Sequence, residues 1–196
     1  MMQISPLKAG LIAMILIGLG AILYVVTSAM DSGGADGSLE RLGRGEMHAF
    51  MVVTDPPPQP DLVYLDGDGN EVRLSDYRGK IVLLNLWATW CAPCVEEMPA
   101  LDRLEAELGG DHFAVVTISM DRSIDQARDF YHQTGITHLP LLHDGQFASH
   151  NRVRARSLPM SVLYDRQGRE IGRVPVPAEW DSEDAIALMR AAMARP

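Results

Sequence analysis

The sequence predicts an α/β fold: a sheet whose centre is buried between helices, tethered by one N-terminal membrane-spanning helix. Three observations predict it. Ile81–Trp87 is an almost unbroken apolar run, too short for an ordinary soluble helix, which suits a central strand covered on both faces. Cys91-Ala92-Pro93-Cys94 follows, and beyond it the apolar residues Val95, Met98, Leu101, Leu104 and Leu108 fall at helical spacing. Phe113–Ser119 and the helical stretch after it repeat strand then helix, the alternation of a parallel unit with right-handed crossovers.

From the start of the chain, Ala9–Met30 runs 22 residues without a charge, about 33 Å as a helix and enough for the hydrocarbon core. Lys8 and the N-terminal amine precede it, and Asp31 and Asp36 follow. The positive-inside rule then places residues 1–8 in the cytoplasm and the rest in the periplasm of a bacterial-type inner membrane, as a single-pass protein. A cleaved signal peptide, with Thr27-Ser28-Ala29 as its small residues, is the alternative, but the run is longer than a usual signal core. Residues 31–45, rich in glycine and without apolar periodicity, read as a flexible linker. Residues 46–196 read as one domain.

Pro56-Pro57-Pro58-Gln59-Pro60 reads as a stiff extended spacer. Leu62–Leu65 and Glu71–Leu74 read as a hairpin around Asp66-Gly67-Asp68-Gly69-Asn70. The Asp-x-Asp-x-Asn spacing invites a calcium loop, but Glu71 stands where such a loop needs glycine and Val82 where it needs a bidentate Glu; turn chemistry accounts for these residues. Gly109-Gly110 ends the first helix. Asp121–Thr134 has helical character, with Ser123 as its cap and Gly135 at its end. A brief apolar piece, Leu139–Leu142, precedes a short helix over Gln146–Val153. Pro159 opens the next strand, Arg166-Gln167-Gly168 turns it into Glu170–Val174, and a helix from Ser182 to Met193 closes the chain.

The two cysteines therefore sit at a strand-to-helix turn, against the N-terminus of the helix. Its unpaired N–H groups and partial positive charge stabilise an anion, so the pKa of Cys91 should lie below that of a free thiol. A fall from about 8.5 to about 7 would raise the thiolate fraction at neutral pH from a few per cent to about half. Nucleophilicity falls at the same time, with a slope of about 0.4–0.5, so the kinetic gain is a few-fold. The lowered pKa matters as much for Cys91 as a leaving group and for the redox potential.

Trp90-Cys91-Ala92-Pro93-Cys94, with Trp87-Ala88-Thr89 before it and Glu97-Met98-Pro99 after it, resembles the thioredoxin superfamily and, within it, the membrane-anchored TlpA group. Pro177-Ala178-Glu179-Trp180 resembles that group too, although Val176 replaces its usual glycine. The resemblance implies a thioredoxin-like fold, a central mixed sheet flanked by helices, from about Gly45 to the C-terminus. It implies a redox-active Cys91–Cys94 disulfide and no other cofactor. Cytosolic thioredoxins carry a buried acid where Asn85 stands, and Asn cannot shuttle protons. Glu97 is the acid that TlpA-like and cytochrome-maturation reductases carry, so the resemblance gives it the proton-transfer role for Cys94. Pro159 matches the cis proline that lies against the dithiol, which leaves the Leu158 backbone free to pair with an extended client; Trp90 and Pro93 complete the docking residues. Ser157 and Met160 depart from the more usual Gly and Thr.

The resemblance also implies partners. These are client proteins with disulfides, chiefly in copper-site assembly of cytochrome oxidase (a Sco-type copper chaperone or the oxidase's copper-binding subunit), with a membrane thiol transporter as electron donor. The alternative client is the CxxCH dithiol of apocytochrome c. A copper-binding chaperone using Cys91 and Cys94 as soft ligands is a rival of another class. A thiol peroxidase would want Thr or Ser three residues before its cysteine, where Ala88 stands. Zinc needs four ligands, and the chain has two cysteines and six histidines out of ligand spacing; no metal site is expected. The part beyond the anchor has 16 basic and 26 acidic residues, which disfavours nucleic acid. Arg152, Arg154 and Arg156 run against that background toward Pro159 and could steer an acidic partner.

Overall fold

A computed structural model describes residue 14 and residues 16–24, 39–55 and 57–195. The chain divides into two compact units, Met1–Ser38 and Leu39–Pro196. In the first, residues 16–24 are helical with exposed side chains. Most of the expected span 9–30 lies outside the described residues; among the described residues no helix is long and apolar enough to cross a membrane.

The second unit is an eight-stranded mixed sheet with helices packed on it. Its strands are β1 (Met51–Val52), β2 (Val63–Asp66), β3 (Glu71–Arg73), β4 (Ile81–Trp87), β5 (Phe113–Ser119), β6 (Leu142–His143), β7 (Met160–Tyr164) and β8 (Glu170–Val174). The α-helices are α1 (Ala92–Leu108), α2 (Ile124–Thr134), α3 (Ala148–Arg152) and α4 (Glu183–Met193). The strand order is β1-β8-β7-β4-β5-β6-β2-β3. β4 lies at the centre, parallel to β5 and antiparallel to β7. Every residue of β4, β5 and β7 is buried, as apolar runs covered on both faces should be. This is the thioredoxin-like α/β arrangement that the motif implied.

The helix ends follow local chemistry. The Ser123 hydroxyl accepts from the Asp125 amide, and Gly135 ends α2 in the left-handed region at φ 72°. Ser123 is the cap expected from the chain, and Asp121 precedes the helix. Pro93 stands in the first turn of α1, where a missing N–H costs nothing. Pro99, inside α1, removes the donor that would bond the Val95 carbonyl. Asp66 caps its own turn, accepting from the Asp68 and Asn70 amides at 2.9 and 2.8 Å.

Two readings of the chain are corrected. The linker cannot extend to residue 45, because residues 39–42 are helical and Leu39 is fully buried in the core with Met47. Leu39 and Leu42 are a single pair three residues apart, too short a signal to stand out in a glycine-rich stretch, yet burying Leu39 still gains about 1.5–3 kcal/mol. The proline-rich piece is not a free spacer in its described part: Pro58 pairs with Arg169, and the Gln59 amide donates to the Gly168 carbonyl at 2.7 Å.

Candidate active site

β4 and α1 together place the dithiol. The strand ends at Trp87, the loop Ala88-Thr89-Trp90 turns, and Cys91 becomes the cap of α1, its carbonyl accepting from the Val95 amide at 3.1 Å. The loop is fixed from below. Asp121, fully buried, accepts from the Thr89 hydroxyl at 2.7 Å, the Thr89 amide at 3.2 Å and the Ser119 hydroxyl at 2.8 Å. Neither Asp121 nor Thr89 stood out as a site residue in the sequence, but an Asp just past a buried strand needs such partners.

Cys91 and Cys94 form a disulfide, with Cα atoms 5.2 Å apart. Cys91 is 7 % exposed and Cys94 is 0 % exposed. A client can therefore approach only the first sulfur. The Leu158–Pro159 peptide bond is cis. Trp90, Cys91, Pro93 and Leu158 line one open groove of about 540 Å³; of the docking residues expected from the chain, Pro159 is buried and does not line it. Two further residues, Phe147 and His150, line the same groove; both flank or belong to α3, which no motif marked.

Behind the dithiol the surroundings are polar and closed. Glu97, one helical turn past Cys94, is 4 % exposed. Asn85 donates through Nδ2 to its Oε1 at 2.7 Å; the Ala178 amide and the Trp180 indole each donate to Oε2 at 3.1 Å. Burial pushes the Glu97 carboxyl up to about 7, while the hydrogen bonds from Asn85, Ala178 and Trp180 pull against that rise. Glu97 also borders a second cavity of about 250 Å³, shared with Pro93, Glu96, Ala178 and Glu179.

Asn85 takes the place of a buried acid, yet its work is to hold one. The register pairs it with Ser161 on β7, whose hydroxyl accepts from the same Nδ2 at 3.0 Å. The signal was present in the sequence: a lone polar residue inside an apolar strand must find partners. Trp180 gave no such signal, because it reaches Glu97 across 83 residues.

Among the described residues no group of three or more His, Cys, Asp or Glu side chains could hold a metal ion. The chemistry available is that of a dithiol with one accessible sulfur, a helix N-terminus to stabilise its thiolate, and a buried carboxyl raised to about 7 three residues on from the second cysteine.

Fold and site together define a thioredoxin-like dithiol protein. The chain belongs to the AhpC/TSA family, whose model matches residues 57–173. It is 36 % identical over 109 residues to the thiol-disulfide oxidoreductase ResA of Geobacillus kaustophilus, covering 56 % of this chain and 62 % of that one. It is 39 % identical over 114 residues to the thioredoxin-like protein YneN of Bacillus subtilis, with 56 % and 64 % covered. The chain thus spans less than two thirds of the length of these relatives. Among solved structures, a thiol:disulfide interchange protein DsbE from Chlorobium tepidum, itself assigned only provisionally, superposes with a TM-score of 0.64 at 26 % identity, covering 71 % of this chain and 99 % of that one. A DsbF homologue from Corynebacterium diphtheriae gives 0.62 at 26 %, with 73 % and 92 % covered.

Proposed function

We propose that this chain is a membrane-anchored, periplasm-facing thiol:disulfide oxidoreductase that reduces disulfides of partner proteins. The observation that carries the reading is the asymmetry of the pair: Cys91 edges a client-sized groove, while Cys94 is fully buried one turn from Glu97. In the reduced protein the Cys91 thiolate attacks one sulfur of a client disulfide. The other client sulfur leaves as a thiolate and takes up a proton. Cys94 then loses its proton to the Glu97 carboxylate and attacks Cys91 in the mixed disulfide. The client departs with two thiols and this chain with the Cys91–Cys94 disulfide. A carboxyl near 7 accepts that proton and releases it at neutral pH with little driving force lost either way.

Ala88, three residues before Cys91, and the second cysteine favour dithiol exchange over peroxide chemistry. The uncharged run 9–30 behind Lys8 supports the anchor and its orientation. A dithiol on that side of the membrane tends to be oxidised, so a membrane thiol transporter would have to recharge it. The preferred clients are copper-site assembly proteins of cytochrome oxidase. Apocytochrome c is the second reading, favoured by Glu97, the acid that cytochrome-maturation reductases share.

The reduction potential decides the direction. A value near about −270 mV supports a reductant; one near about −120 mV makes the protein a disulfide donor and overturns the proposal. With the first result, a Cys94→Ser variant should accumulate mixed disulfides on Cys91, and the trapped proteins identify the client.

A further inference from the structure

The dithiol groove is one of two concavities at the same rim. A second, also about 540 Å³, is lined by Trp90, Met120, Arg122, Gln126 and Phe147. Trp90 and Phe147 line both, so their rings form the ridge between them. Trp90 is 61 % exposed and Phe147 38 % exposed, and among the described residues of Leu39–Pro196 they are the only exposed aromatic side chains of this kind. Phe147 holds a backbone φ of 56° and Arg154 one of 55°, at the two ends of α3. A bulky residue in the left-handed region costs on the order of 1–3 kcal/mol, and such residues gather at ligand clamps.

The second concavity differs in chemistry from the first. Arg122 is exposed and has no ion pair or hydrogen bond among the described residues. Gln126 uses its carbonyl oxygen to accept from the Ser123 amide at 3.3 Å, which leaves its NH₂ free to donate. The carboxylates nearest in sequence are engaged elsewhere: Asp121 by Thr89 and Ser119, and Asp125 by Arg128 and Ser123. An unneutralised guanidinium in a chain of net charge −9, beside a groove that takes polypeptide, is complementary to an anion.

We propose that this concavity is a second client subsite, which takes a carboxylate side chain near the client's reactive cysteine, with Arg122 as its cation, Gln126 as its amide donor and the Trp90–Phe147 ridge setting the spacing. The proposal rests on the dithiol-exchange reading. A guanidinium matches a carboxylate in geometry as well as charge. Arg154 and Arg156, exposed on the approach to Pro159, extend the same sign of field toward the client.

The test uses two synthetic peptides with an internal disulfide, identical except for Glu or Gln at positions flanking one cysteine. The reduced full chain should reduce the Glu peptide about five-fold faster, an ion-pair effect of about 1 kcal/mol. Half-molar salt should remove most of the preference. Arg122→Glu should abolish or invert it, while leaving reduction of the small neutral hydroxyethyl disulfide unchanged. Arg190→Glu, a charge reversal on α4, should keep it. Equal rates for the two peptides, or a preference that survives Arg122→Glu, overturn the subsite while reduction of hydroxyethyl disulfide upholds the exchange reading. A reduced chain that acts on none of the three disulfides overturns both.

Discussion

Two buried carboxylates lie five residues apart on α1 and depart from the ordinary range in opposite directions. Glu97 is 4 % exposed and Asp102 8 % exposed, but Glu97 lies deeper in the protein and burial weighs more heavily on it. Burial opposes ionisation at both. At Asp102 it is outweighed: Oδ1 accepts from the successive amides of Thr137, His138 and Leu139 at 3.1, 2.7 and 3.1 Å, and Oδ2 from the His138 imidazole at 3.0 Å. Its carboxyl is held below the usual range. Glu97 receives three donors, two of them neutral side chains, and burial wins. The difference teaches that a carboxylate which ties a loop together is held ionised by its backbone donors, whereas one buried more deeply with fewer of them is held near neutrality.

The largest test of this contrast is Glu97→Gln. Without the acceptor, resolution of the mixed disulfide by Cys94 should slow about a hundred-fold, seen in single-turnover kinetics as a long-lived adduct, while attack by Cys91 keeps its rate. The same variant should change the stability profile. Glu97 is raised from about 4.5 to about 7, so between those values the native state binds more protons than the unfolded one. Stability from this group is then full below pH 4.5 and is lost as pH rises toward 7, a swing of about 3 kcal/mol. Denaturant titrations from pH 4 to 8 should show that slope in the wild type and lose it in Glu97→Gln. Asp102 has the opposite sign: its stabilisation is present above its unfolded value and falls away as the medium becomes more acid than that. An unchanged slope in Glu97→Gln would remove the distinction between the two groups.

Next in size is Asp102→Ala, which orphans three amides and the His138 ring. We expect a loss of about 2 kcal/mol in stability, read from denaturant midpoints, with both exchange steps at wild-type rates. A slowed resolving step would mean that the two carboxylates are not separate devices.

How far this division shows in the sequence depends on the range of the contact. β4 and β5 match their expected bounds residue for residue, because an apolar run covered on both faces is a local pattern. The cysteine pair at a strand-to-helix turn was legible through motif and spacing, whereas Trp90, Pro93, Leu158 and Pro159 were marked by resemblance, and the first three line the groove. Glu97 was marked by resemblance, but its donors lie 12, 81 and 83 residues away, and no local periodicity carries contacts of that separation. Leu39 and Phe147 were missed for a related reason: Leu39 has only Leu42 beside it amid glycines and charges, and Phe147 stands alone among polar and small residues, one drawn into the core and the other held at the groove.

The smallest effect, and the sharpest, belongs to Trp180→Phe. The ring packs fully buried, and phenylalanine keeps most of its volume while removing the indole donor 3.1 Å from Glu97 Oε2. Losing a hydrogen bond to the charged form favours the neutral one, so the Glu97 carboxyl should rise further above 7. The pH dependence of the resolving step should move to higher pH with it. The stability cost should be about 1 kcal/mol at pH 8, where the carboxylate is ionised, and smaller at pH 5, where it is not. A uniform cost at both pH values, with an unmoved rate profile, would make Trp180 a packing residue and leave Asn85 and the Ala178 amide to hold Glu97 alone.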